Sequence, residues 1–502
     1  MSRKECIFLT FLVLIASFLR LYRFTDFLEF LDDQGRDAVI IKKILVDHDV
    51  TLLGPRTSIG QMYLGPLYYY AMVPLLALTY PSPIGPALGV TAMGILSVAL
   101  TYILGKNMVG QNAAGIAALL FAFSPAAIKL SRFSWQPNPA PLVGLLMIWF
   151  SFFALKKNKP KYWILVALCF TILSQLHYLA LLSAVPAGIL FLAHLWQNRK
   201  NTKIYRSFFS AFLLSITIFL LSLIPLVLFN MKHDNLILNG FQDFLVSQSQ
   251  LRTPIAQKIN QMVQDSEGVG MRLTVELIGF SLNTRDMNSI LLVCLYLLSV
   301  FVLILNRSKH ALGYRIVFLW TMIGIIGISY YQYTIYEHYF AFLFPALFLF
   351  VAVSLTYLTQ KFRFLWVPIV VFLSVLFLKN VIMLPYWRAA PTGIHDLKNV
   401  SEKIQPYLLE GEKYNIALLN DNREYMGMKY RYFFEIADQK PQSQYNYTNL
   451  DKLVVIVENN EDPMKAPIYE IQQFVRESAG APALLQRLEY KDSADIYIYE
   501  KK

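Results

Sequence analysis

Leu31-Asp32-Asp33-Gln34-Gly35-Arg36-Asp37 places three carboxylates and a guanidinium within one short stretch, a few positions after the first apolar segment. A carboxylate at such a place can take a proton from a hydroxyl or amine, and an arginine fork suits a departing phosphate. The stretch gains weight from what is missing elsewhere. No Asp or Glu occurs between Asp49 and Asp234. A general base in the N-terminal half therefore has almost no other source, and Asp33 and Asp32 are the candidates. The plainer alternative makes both acids caps of the helix that follows.

The elements that must position these residues are membrane helices. The chain has 502 residues, 56% of them hydrophobic and 16% charged, against about 25% charged in ordinary soluble domains. Apolar runs long enough to cross a bilayer recur from Cys6 to Leu384. No small-residue cleavage site follows the first run, so it reads as a retained helix. Twelve apolar segments would put the basic loops (156–161, 199–206, 307–315 and 361–363) opposite the basic N-terminus. The positive-inside rule wants them on one side. Demoting 62–80, with its Gly65-Pro66, Pro74 and Tyr68-Tyr69-Tyr70, restores the parity and leaves about eleven spans. The expected architecture is an α-helical polytopic membrane protein with a transmembrane part at 1–384. Its N-terminus is cytoplasmic, and its large extracytoplasmic loops are 23–83 and 230–288. Within the first loop, the apolar spacing from Asp37 to Val46 predicts an interfacial amphipathic helix.

Residues 385–502 read as a separate extracytoplasmic α/β domain. Strands are expected at 414–419, 453–457 and 496–500, with helices at 395–409 and 468–478. This part carries 15 Lys and Arg against 18 Asp and Glu, and the rest of the chain 30 against 15. The basic excess thus belongs to the membrane part, where it reports topology and gives no support to a nucleic-acid role. Cys6, Cys169 and Cys294 lie in apolar segments without metal-ligand spacing. No acid pair of the C-terminal domain comes with a pocket signature, so the domain is expected to be accessory.

Three further stretches join the acidic one: Gly65-Pro66-Leu67-Tyr68-Tyr69-Tyr70, then Ser131-Arg132-Phe133-Ser134-Trp135-Gln136-Pro137-Asn138, then Tyr336-Glu337-His338-Tyr339-Phe340 running into Leu343-Phe344-Pro345-Ala346-Leu347. In this order they resemble the polyprenyl-phosphate-dependent glycosyltransferases of the GT-C fold, in the protein O-mannosyltransferase and lipid A aminoarabinose transferase branch. That family has an acidic Asp-Glu-x-Arg-type motif in its first external loop, a short amphipathic helix, a Pro-Leu-Tyr-Tyr motif, and a His/Arg-Tyr pattern opening a late helix. The motifs cover some forty residues of 1–384. Two positions depart from the pattern: Gln34 stands where the family has its second acid, and Asn138 where many relatives have an aspartate. An amide positions a group but cannot act as a base.

The resemblance implies an extracytoplasmic transferase of the plasma membrane that takes sugar from a polyprenyl-phosphate carrier, with Asp33 as base and Asp32 as a possible substitute. Arg36, Arg132 and His338 are the candidates for the donor phosphate. Tyr68, Tyr69 and Asn138 would orient hydroxyls, and His177, Tyr178, Glu337 and Tyr339 complete the substrate-binding set. Each has a structural alternative: the arginines snorkel to headgroups, His177-Tyr178 is an interfacial packing pair, and 336–339 belong to an aromatic belt. No tightly bound cofactor is implied. A divalent ion is left open, since only Asp32, Asp33 and Glu337 could supply oxygens. The expected partners are the lipid-linked donor, a glycan, lipid or protein acceptor, and the bilayer. A transporter or flippase of lipid-linked sugars would place ionisable residues within its spans, and here they gather in loops. A polymerase or ligase of surface glycans differs mainly in acceptor.

Overall fold

In the computed structural model the described residues are 2–57, 62–250, 265, 268–270, 277–279, 294, 297–298, 300–302, 309–331, 335–437, 439–459, 461–478, 480–491 and 493–501. The chain divides into two compact units. The first comprises Met1–Tyr22, Thr51–Ala71 and Ala87–Trp387, and the second Arg23–Val50, Met72–Pro86 and Arg388–Lys502. The first loop's acidic stretch therefore groups with the C-terminal domain.

The first unit is helical. Among the described residues six helices are long and apolar enough to cross a membrane: Ile84–Val109, Tyr178–Gln197, Thr202–Ser222, Ala311–Ser329, Glu337–Lys361 and Arg363–Ile382. Leu67–Ala77, Gln111–Phe123, Ala140–Lys156 and Tyr162–Leu176 are shorter apolar helices. The first helix, Arg3–Leu21, carries Glu5 in its first turn and Arg20 in its last. At ~1.5 Å per residue, Leu67–Ala77 reaches about 16 Å, roughly half the ~30 Å hydrocarbon thickness. The multi-pass class holds. Most of the expected segment 289–305 and of the loop 230–288 lies outside the described residues.

Two arginines, both fully buried, tie helix ends together in this unit. Arg20 donates to the carbonyls of Phe121 and Ala122, in the last turn of Gln111–Phe123, at 3.2 Å each. Arg132 donates to the carbonyls of Leu19, Arg20 and Tyr22, at the end of the first helix, at 3.4, 2.8 and 3.0 Å. The last carbonyls of a helix have no intrahelical donor and carry its negative dipole end, so a buried guanidinium is matched there without a carboxylate.

The second unit is built on a four-stranded mixed sheet in the order β1-β2-β4-β3. β1 (Tyr414–Leu419) runs parallel to β2 (Lys452–Val457). β4 (Ala494–Glu500) is antiparallel to β2 and to β3 (Ala483–Tyr490). Every residue of β1 and β2 is buried, as a near-continuous apolar run between two covered faces requires. On one face Ala417, Leu419, Leu453, Val455 and Val457 pack with Ile471 and Phe474 of the helix Tyr469–Glu477. β3 and the helix Met428–Glu435 were not expected. β3 is a half-exposed edge strand with little apolar signal, and the helix occupies the crossover that a parallel β1–β2 pair needs.

The first-loop helix spans Asp32–Lys42, five residues earlier than the spacing predicts, and continues as one π-helical turn over Lys43–Asp47. Its apolar residues Ala38, Val39 and Ile41 are buried within this unit, so protein rather than lipid covers them. It packs against Met428–Glu435 at Gly35, and Phe30 meets Tyr432 and Phe433 edge-on or tilted, with ring centroids 6.2 and 6.1 Å apart.

Candidate active site

In the second unit, Asp32 and Asp33 form the first turn of the helix, where its positive end favours negative charge. They are not its cap. Gln34 supplies that function, its Oε1 accepting the Leu31 N–H at 2.9 Å, as a glutamate at this position would also do. Arg36 donates to Asp33 at 2.6 Å, and through Nε and Nη2 to one oxygen of the buried Asp37 at 3.0 and 2.8 Å. The Arg36 fork is thus engaged by two carboxylates and fixes Asp33.

Asp32 meets a group from the far end of the sequence. Its carboxyl and that of Glu424 sense each other. Glu424 in turn accepts the backbone N–H groups of Met426, Gly427 and Met428 at 3.1, 3.0 and 3.4 Å, which fixes its carboxyl at the entry to Met428–Glu435. Burial and the charge of Asp32 push the Glu424 carboxyl up to about 7. Burial also raises Asp32, against the pull of the Lys429 ammonium. Lys429 is paired with Glu458 at 2.7 Å, and the Tyr430 hydroxyl donates to the same carboxylate at 2.6 Å. Two carboxyls held this close cannot both ionise freely, so they titrate as a pair.

The first unit brings a second set of candidates together. The His338 ring lies 4.2 Å from Trp135, 5.6 Å from His177 and 4.5 Å from Tyr339, centroid to centroid. His177 also meets Tyr339 at 4.7 Å and stacks on Tyr178 at 5.4 Å, and Tyr336 stacks on His338 at 5.8 Å. The chain makes this cluster from three loop-to-helix junctions: 131–139, 177–183 and 336–343. Glu337 forms a 3.7 Å pair with Lys129.

Tyr68 and Tyr69 are buried, and the Tyr68 hydroxyl shares a 2.6 Å hydrogen bond with Ser134 of the 131–139 loop. Asn138 donates to the Phe133 carbonyl at 3.0 Å, while its buried Oδ1 has no hydrogen-bond partner among the described residues. The Arg132 guanidinium caps the first helix and lies 3.8 Å above the Tyr386 ring. Among the described residues no three His, Cys, Asp or Glu side chains are placed to hold a metal ion.

Sequence reasoning missed Glu424, Lys429 and Glu458, which carry no local motif and reach Asp32 only through tertiary packing. Trp135 was within a quoted stretch but had no assigned role. Its proximity to His338 depends on how two distant loops meet.

A family model described as dolichyl-phosphate-mannose-protein mannosyltransferase matches residues 65–229. That span includes Tyr68, Tyr69, Arg132, Asn138, His177 and Tyr178. No curated protein matches the chain by sequence. The fold is similar to ArnT from Cupriavidus metallidurans bound to undecaprenyl phosphate, with a TM-score of 0.61 at 10% identity over 99% of this chain and 98% of that one. The apo form of the same protein gives 0.60 at 9% identity over 98% and 97%. The oligosaccharyltransferase of Archaeoglobus fulgidus in complex with zinc and sulfate gives 0.51 at 13% identity, over 89% of this chain and 67% of that one. The resemblance read in the sequence thus holds in the family model and in the fold.

Proposed function

We propose that the chain is an integral-membrane glycosyltransferase that moves a sugar from a polyprenyl-phosphate carrier to an acceptor on the outer side of the membrane. The observation that carries this reading is the acidic first turn of Asp32–Lys42, on a chain that shares the ArnT fold over nearly its whole length. The family model over 65–229 and the undecaprenyl phosphate on ArnT support a lipid-phosphate donor. The charge parity of the basic loops supports eleven spans with the N-terminus inside and the C-terminal domain outside.

In this reading a carboxylate of the Asp32–Asp33 pair takes the acceptor's proton. The acceptor oxygen or nitrogen attacks the anomeric carbon, and the bond to phosphate breaks toward the lipid. The imidazoles of His177 and His338, with Tyr178 and Tyr339, bind the donor's sugar or phosphate through N–H and O–H donors. The Asn138 carboxamide oxygen and the Tyr68 hydroxyl orient sugar hydroxyls. The buried Arg20 and Arg132 are bonded to backbone carbonyls at helix ends, a structural use of charge unlike the relay a transporter of lipid-linked sugars places within its spans.

The test is release of undecaprenyl phosphate by the full chain in lipid nanodiscs, from a panel of undecaprenyl-phosphate sugars. Turnover of at least one donor that Asp32→Asn or Asp33→Asn abolishes is the expected result. Movement of the intact donor across vesicle membranes, with no release, would favour a flippase instead.

A further inference from the structure

We infer that Glu424 of the C-terminal domain is a positioning residue that shares a proton with Asp32, and that this pair, rather than Asp33, receives the acceptor's proton. The inference rests on the reading of the chain as a glycosyltransferase with its base in the first loop. Three geometric facts carry it. Asp33 is tied to Arg36 at 2.6 Å, a cation it shares with the buried Asp37. Gly35, one turn on from Asp32 in the same helix, packs against the backbone of Met428, whose N–H Glu424 accepts, which brings the Asp32 and Glu424 carboxyls to the same junction. Glu424 is fixed by three backbone N–H groups, so the pair's geometry is set by the protein and not by a mobile side chain.

The surroundings keep the pair at an intermediate charge. Asp33 faces it from the same helix as Asp32, and Lys429 and Glu458 from the C-terminal side. Arg431 and Tyr447 also sense the charge of Glu424, but the Arg431 guanidinium is taken up by Asn415 and the Gln442 carbonyl. The Lys429 ammonium near Asp32 is already bonded to Glu458, and it does not lock the pair in its doubly ionised form. Burial and mutual repulsion then give the pair a last proton that leaves near neutral pH, which is where a general base works best.

The step balances as follows. The acceptor's O–H or N–H proton passes to an Asp32 oxygen. The electron pair it leaves forms the bond to the anomeric carbon, and the carbon–oxygen bond to phosphate breaks with its pair on the polyprenyl phosphate. The proton then rests between Asp32 and Glu424 until it is lost to water.

The first measurement needs no substrate. Infrared titration of the full chain in nanodiscs should find a protonated-carboxyl band that disappears as the pH rises through about 7. It should be absent in Glu424→Gln and Asp32→Asn and retained in Asp33→Asn. Glu424→Gln keeps one oxygen for the Met426 and Met428 N–H groups, loses the acceptor for Gly427 and cannot titrate; Glu424→Asp, which can titrate, should bring the band back, and that rescue separates proton sharing from helix entry alone. A band unchanged in Glu424→Gln overturns the inference.

The second measurement is undecaprenyl phosphate release from the donor panel as a function of pH. Wild-type turnover should rise through about pH 7. Glu424→Gln should move that limb acidward by a unit or more and lower the plateau by about tenfold or more, and Glu424→Asp should restore part of both. An unmoved limb in Glu424→Gln overturns the inference while leaving the transferase reading intact. If Asp32→Asn and Asp33→Asn are both fully active, the first-loop base itself fails, whatever the infrared band does.

Discussion

The α-carbon of Gly35 lies so close to the backbone of Met428 that a β-carbon there would come within 2.2 Å of the Met428 carbonyl oxygen. Glycine at this helical position is a requirement of packing. By propensity alone Gly35→Ala should stabilise the helix by up to about 1 kcal/mol. The clash is with backbone, which cannot swing aside, so overpacking at about 1–3 kcal/mol or more should win. The expected result for Gly35→Ala is a lower melting temperature of the full chain and reduced turnover. A more stable, fully active variant would mean that the two helices separate easily.

Arg132 should behave as a structural residue. Removing its side chain leaves the carbonyls of Leu19, Arg20 and Tyr22 without their buried donor. At about 1–3 kcal/mol for each unsatisfied group, Arg132→Ala should cost several kcal/mol or fail to accumulate. Arg132→Lys keeps a charge near the helix end and should recover part of the loss. Thermal unfolding and undecaprenyl phosphate binding, measured together, check this. A variant that melts normally but no longer binds the lipid phosphate would restore the phosphate-binding role.

Much of the fold was legible in the sequence, for physical reasons that differ by part. Apolar helices advertise themselves through length and composition, so Tyr162–Leu176 and Ala311–Ser329 fall close to expectation. The buried strands β1 and β2 were found because Tyr414–Leu419 and Leu453–Val457 are dense in Ile, Leu and Val. β3 was missed because Ala-Leu-Leu-Gln-Arg-Leu-Glu-Tyr pairs on one edge only and lacks that density. At the site, sequence alone picked out His177, Tyr178, His338 and Tyr339, which the fold brings into one cluster. It could not foresee the carboxylate partners of Arg36 or the helix end that Arg132 caps, because what a guanidinium binds is decided by which group arrives beside it. Glu424 was invisible for the same reason.

The imidazole cluster should matter to the donor more than to stability. His338 packs against Trp135, His177 and Tyr339 by its ring faces and edges, which glutamine imitates poorly and phenylalanine well. His338→Phe should keep the packing and remove the N–H donors. Turnover should then fall by on the order of 10²–10³-fold, as for loss of a donor to developing negative charge, with little change in melting temperature. His338→Gln, which keeps a donor but disturbs the packing, should show the reverse balance. If His338→Phe turns over donor at the wild-type rate, the cluster is an aromatic belt and nothing more.

Removal of the C-terminal domain gives the broadest test. An accessory domain would leave donor cleavage largely intact when residues 390–502 are deleted. The packing of the second unit argues otherwise. Ala38, Val39 and Ile41 of the first-loop helix are buried there, and Gly35 and Phe30 meet Met428–Glu435 directly. Without those partners an 11-residue helix is too short to persist in water, so Asp32 and Asp33 lose their fixed geometry. The deletion should therefore abolish undecaprenyl phosphate release even where the truncated chain inserts and its first unit keeps its melting transition. Protease sensitivity should appear between residues 23 and 50 in the truncated chain and not in the full one. Wild-type donor cleavage by a membrane-inserted truncation would place the base outside the first loop.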